Sequence, residues 1–151
     1  MSKEHEHGMS VIVKTITRLT VGLILLYGIY IVAHGHVSPG GGFAGGVIIA
    51  LSFVHLMLAY GKDAAFKKFP KSAISFFESF GALLFLTIAL VGFIGGFFFL
   101  NILDKGEPFT LFSAGIIPLC NIAISLKVGA GLFAIFVALT LLKLDIKEKE
   151  K

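Results

Sequence analysis

Four apolar segments set the terms on which this chain folds: Met9 to Ala33, Gly42 to Tyr60, Ile74 to Leu100 and Ile116 to Leu142. A hydrocarbon core of about 30 Å takes about 20 helical residues to cross, and every segment is long enough. Charged residues are only 15% of the chain and the mean hydropathy is +0.94, too apolar for a soluble domain. The expectation is an all-α integral membrane protein with four transmembrane helices. Residues 1–8 make a short N-terminal tail, 9–142 the membrane domain and 143–151 a charged C-terminal tail. The charged stretch Lys3 to His7 runs into a full-length span with no small-residue cleavage site. The first segment is therefore expected to persist and not to be removed as a signal peptide.

Lysine and arginine gather on the cytoplasmic side of membrane proteins. With four crossings, the basic residues of both tails, Lys14, Arg18 and the lysines at 62, 67, 68 and 71 share one side, and Lys105 faces the other. Both termini and the Gly61 to Ala73 loop are expected to be cytoplasmic, in a multi-pass protein of the cell membrane. This rule accounts for the formal net charge of +4, so no nucleic acid partner is implied. The tail from Asp145 to Lys151 alternates in sign and reads as solvated. Cys120 is the sole cysteine, which excludes an internal disulfide and a thiolate metal cluster.

The first two segments are joined by His34-Gly-His36-Val-Ser-Pro39-Gly40-Gly41-Gly42-Phe-Ala-Gly45-Gly46-Val47. Gly40, Gly42 and Gly45 satisfy the dinucleotide-binding spacing, but that fingerprint needs a preceding strand in a soluble βαβ unit. Here an apolar helix precedes it. His34 and His36 form an outer polar loop, and two imidazoles without a nearby acid or thiol are an incomplete metal site. His5 and His7 fall on the opposite side, and His55 alone is deep, which argues against haem. No metal or cofactor is expected. The glycines fit a tight outer turn and close helix packing.

Ionisable groups inside a membrane are costly and are functional candidates by default. Three stand out: His55, Glu78 and Lys127. At about 100° per residue, Glu78 shares a face with Gly81, Ala82, Phe85, Ala89, Gly92 and Gly96, and Lys127 shares one with Ala123, Ala130, Ala134 and Ala138. Small-residue stripes are where helices pack closely, so Lys127 is expected to be a buried amine pointing at protein. The second segment has two such faces, one of Gly42, Gly46 and Ala50 and one of Gly45, Ser52, His55 and Ala59. A four-helix monomer can use both, but two faces also suit a subunit packed inside a larger assembly, the preferred reading. Counting 1.5 Å per residue, His55 and Glu78 lie at similar inner depth and can pair, while Lys127 falls roughly 15 Å away in the outer half with His34 and His36. The fourth segment contains Pro118, Asn121, Gly129 and Gly131 and is expected to be broken, with a short outer piece before a span from about Ala123. The alternative is that Pro118 and Asn121 mark where loop passes into helix.

Two motifs together resemble the B-subunit family of the multisubunit Mrp-type Na+/H+ antiporters. They are the run from His34 to Val47, and the later Gly115-Ile-Ile-Pro118 with Leu126-Lys127-Val-Gly129-Ala-Gly131-Leu132. Both motifs are long and in the family's order, and the resemblance covers nearly all the chain except the tails. It implies a small multi-spanning subunit without catalytic activity of its own, beside larger antiporter-like subunits that exchange Na+ and H+. Related subunits occur in archaeal membrane-bound hydrogenase and sulfane-sulfur reductase complexes, and the sequence does not separate these hosts. The family motifs point to the loop and Lys127; His55 and Glu78 come from helix geometry alone.

The resulting expectation is a subunit supporting sodium and proton translocation and assembly, with other membrane subunits and the bilayer as partners. Lys127 would assist ion movement, and His55 with Glu78 would relay protons. The rivals are a purely structural scaffold and an autonomous, homodimeric small transporter.

Overall fold

The computed structural model describes residues 9–61, 66–67, 70–111 and 113–149. The N-terminal tail with His5 and His7 lies outside the described residues, as do Lys62, Asp63, Lys68 and Lys151. The helices are α1 (Val11–His34), α2 (Gly42–Tyr60), α3 (Lys71–Val91), which continues into a 3-10 turn at Gly92–Gly95, and α4 (Ile117–Lys149). Four helices among the described residues are long and apolar enough to cross a membrane. The helical backbone of α4 runs on beyond Leu142 into the C-terminal tail.

Local chemistry sets the helix ends. Gly40 and Gly41 sit at φ +150° and +118°, which glycine adopts without a Cβ clash, and they separate α1 from α2 beside Pro39. Pro70 stands just ahead of α3, where no amide donor is needed. That helix stops at Val91, well short of the expected Leu100. Gly92, Gly95 and Gly96 weaken it there, and the chain folds back so that the Phe99 N–H donates to the Ala89 carbonyl at 3.2 Å.

The expected break in the fourth segment is not found. α4 is continuous through Asn121, Gly129 and Gly131. Pro118 occupies its first turn, where a missing N–H leaves no helical bond unmade. Pro118 and Asn121 thus mark the passage from loop to helix.

The helices stand in a row in the order α1, α2, α4, α3. The Met9 N–H donates to the Ala59 carbonyl at 2.9 Å and the Tyr60 hydroxyl to the Lys14 carbonyl at 2.9 Å, so α1 and α2 are antiparallel. The start of α2 meets the start of α4, and these two inner helices run parallel. A Cβ on Gly46 would lie 3.0 Å from the Ser125 carbonyl oxygen of α4, and one on Gly45 2.9 Å from the Gly28 carbonyl oxygen of α1. Both special faces of α2 are therefore filled by its own chain. They give no independent support to a larger assembly, contrary to the sequence expectation. Met57, Ile74, Ala130, Phe133 and Val137 form a core uniting α2, α3 and α4.

Candidate functional site

The seam between α3 and α4 is closed at Gly81, where a Cβ would lie 2.7 Å from the Lys127 backbone nitrogen and 2.8 Å from the Ala123 carbonyl oxygen. This close approach brings Glu78, one turn earlier on α3, level with Lys127. Lys127 Nζ donates to Glu78 Oε1 at 2.6 Å, an ion pair between neighbouring helices. Glu78 lies ~10 Å along α3 from Lys71, and Lys127 ~15 Å along α4 from Ile117, so the pair is well inside the span.

Two expectations are corrected here. Lys127 does not belong to an outer cluster; its partner is Glu78. Depth counted from Leu142 misplaces it because α4 continues to Lys149 while α3 begins at Lys71, leaving the two helices staggered. Nor is the amine buried within the chain, since the Lys127 and Glu78 side chains are 48% and 37% exposed. The small residues sharing its face on α4 do not cover it.

His55 does not pair with Glu78. The row order places α4 between α2 and α3, and His55 faces the other way, toward α1. Its Nε2 lies 3.1 Å from the hydroxyl of the buried Thr17 and 3.5 Å from that of Thr20. His55 thus ties two helices together in a seam that the chain closes itself.

In the outer loop, the His34 ring stacks on Tyr30 with centroids 4.6 Å apart, and His36 Nε2 donates to the Thr110 carbonyl at 3.3 Å. No hydrogen bond among the described residues joins either histidine to Lys127. Nor does any group of three or more His, Cys, Asp or Glu gather there to hold a metal ion.

Two asparagines organise the outer end, and sequence reasoning gave neither this role. Asn121 Oδ1 accepts the Gly42 N–H at 3.2 Å, so a side chain of α4 caps one of the unpaired amides at the start of α2. Asn101 accepts the Ile116 N–H at 3.2 Å and donates to the Ala114 carbonyl at 3.3 Å, pinning the loop ahead of α4. Their signal in the sequence is a lone amide at the edge of an apolar segment.

The two faces of the row differ. Against α4 opens an apolar groove of about 690 Å³, whose walls include Ile29, Ile49, Leu119, Ile122 and Leu126. Lys127 projects about 80–140° around α4 from Leu119, Ile122 and Leu126, toward the other face of the row. An ammonium and a carboxylate in contact there can attract, hold or repel a passing cation, according to which of the two is drawn away from its mate.

Four spanning helices bearing an ion pair at membrane depth make this a multi-pass membrane protein. Comparison with known proteins gives the family. The profile described as "Domain related to MnhB subunit of Na+/H+ antiporter" matches residues 12–134, and the chain belongs to that family, whose antiporter subunits reside in the cell membrane. An uncharacterized protein of Methanocaldococcus jannaschii is 40% identical over 118 residues, covering 73% of this chain and 44% of that protein. A Staphylococcus aureus protein named as antiporter subunit mnhB2 is 37% identical over 60 residues, covering 40% of this chain and 43% of that one. The chain thus matches less than half the length of these curated relatives.

Among solved structures, the archaeal membrane-bound sulfane sulfur reductase, a respiratory membrane complex, contains a similar chain. The TM-score is 0.75 at 32% identity, over 90% of this chain and 62% of that one. The Mrp complex from Dietzia sp. shares the fold, with a TM-score of 0.69 at 22% identity over 89% of this chain and 15% of that one.

Proposed function

We propose that this chain is a non-catalytic membrane subunit of a multisubunit Na+/H+ antiporter, or of a related respiratory complex such as a hydrogenase or sulfane reductase, with both termini cytoplasmic. It supports sodium and proton translocation and the assembly of its host. The observation that carries this reading is the Glu78–Lys127 ion pair within the span. A charge pair at that depth is retained at an energetic cost, and such groups mark ion pathways and their supports. Membership of the antiporter-subunit family and likeness to a chain of a respiratory complex point the same way. Lys127 assists ion movement through its positive charge, held in place by Glu78, and His55 holds α1 against α2.

The test is Lys127→Ala in the complete complex, assayed as Na+-dependent proton movement in everted membrane vesicles. Transport is expected to fall several-fold. Wild-type transport with full assembly would remove Lys127 from the mechanism. A purely structural role is the second reading, favoured by the half-exposure of the pair. Variants losing assembly and transport in proportion would support it, whereas full assembly without transport would exclude it.

A further inference from the structure

We infer that the Glu78–Lys127 face is the docking surface for a transmembrane helix of a different subunit, one that brings a hydrogen-bond acceptor to Lys127 at the same depth. The inference rests on the proposed place of this chain in a multisubunit complex and names what covers one of its faces.

The hydrogen bonding of the pair is incomplete. Lys127 has three N–H donors, and the structure engages one of them, with Glu78 Oε1. Nearly half of the lysine side chain remains uncovered by its own chain. Charged groups in a bilayer face protein or water, because hydrocarbon satisfies none of their bonds. Snorkelling does not rescue this lysine, since the ~15 Å of helix between Lys127 and Ile117 exceeds the reach of its stem. The bond to Glu78 also holds the ammonium at its depth. A neighbour from outside the chain, or water that such a neighbour walls in at that depth, is therefore required.

The surface around the pair has the form such a neighbour needs. Ser75 and Ala82 on α3 are exposed and Gly131 and Ala134 on α4 are half-buried; on the same face of α4, about 16 Å along the helix from Lys127, Ala138 is exposed. Small side chains let a second helix backbone come close, and close approach is what allows a side-chain acceptor to reach Lys127. The outward face of α1 is different in kind, with Leu19, Leu23 and Leu26 exposed, a surface suited to acyl chains. Charge and small size coincide at the α3–α4 seam, and together they select protein over lipid.

The test uses the intact complex in native membranes, with a photoreactive amino acid placed at Ala82 or at Ala138, and at Leu23 as the lipid-facing reference. Illumination at Ala82 and Ala138 is expected to give adducts with one transmembrane helix of a different subunit, bearing Ser, Thr, Asn, Gln, Asp or Glu level with Lys127. Adducts with a second copy of this chain, or no protein adduct at either position, would overturn the inference. A second variant, E78K/K127E, keeps an internal ion pair but turns a carboxylate toward the partner's acceptor. The chain is expected to accumulate normally while the co-purified partner falls several-fold, and full retention of the partner would count against the inference. If Lys127→Ala abolishes transport but no adduct forms, the docking surface falls and the transport role stands. Adduct formation with wild-type transport in Lys127→Ala gives the reverse.

Discussion

His55 and Lys127 are both ionisable side chains within the span, and the fold treats them in opposite ways. His55 lies between α1 and α2 with the buried Thr17 hydroxyl 3.1 Å from its Nε2. Lys127 lies at the seam of α3 and α4, bonded to Glu78 yet 48% exposed. The first polar group has its Nε2 engaged by its own chain. The second is satisfied only in part, and what it lacks must come from outside. A polar residue in a membrane helix therefore takes its meaning from which bonds the fold leaves unmade, and depth alone does not supply it.

The largest effect is expected from breaking the closed side. A Cβ at Gly42 would strike the Asn121 backbone, so Gly42→Val forces α2 away from α4 and removes the cap between them. Overpacking of this kind costs about 1–3 kcal/mol, and more when backbone must move. The variant is expected not to accumulate in membranes, read by immunoblot, and wild-type levels would show slack in that seam. The open side responds less. Glu78→Ala, Lys127→Ala and the double variant form a cycle whose coupling should be about 1 kcal/mol in thermal unfolding of the detergent-solubilised complex. Each single variant leaves a charge unpaired, so the double should be more stable than additivity allows. Strict additivity would mean that the two groups do not interact in the complex.

The smallest effect is expected at His55. His55→Gln keeps a hydrogen-bonding group for Thr17, and interhelical bonds of this kind contribute about 0.6 kcal/mol in membranes. Transport and thermal stability should stay near wild type, with His55→Leu lowering stability more. Loss of transport in the Gln variant at unchanged stability would mark His55 as a proton carrier and erase the contrast with Lys127.

Much of the architecture is legible in the residues, for identifiable reasons. α2 spans Gly42–Tyr60, as the sequence implies, because a glycine run marks its start, Gly61 marks its end, and its interior carries Ser52 and His55 alone as polar side chains. The end of α3 is not legible from hydropathy, since Phe97, Phe98 and Phe99 continue the apolar run past the glycines that end the helix. Pro118 reads as a break only if its place in the helix is unknown, and in a first turn it is harmless. The ion pair is hidden for a different reason. Lys127 and Glu78 are each visible as charges in apolar segments, but their pairing depends on the stagger of α3 against α4 and on the row order. Neither is written in the hydropathy pattern. Asn121 is likewise visible as a residue and not as a cap, because its partner Gly42 belongs to another helix.

The most direct measurement is purification of the native assembly from membranes through a tag on this chain, with its companions identified by mass spectrometry. Other membrane subunits of an antiporter or of a respiratory complex should accompany it in fixed proportion. A chain that purifies alone and moves Na+ or H+ across reconstituted vesicles by itself would contradict the subunit reading.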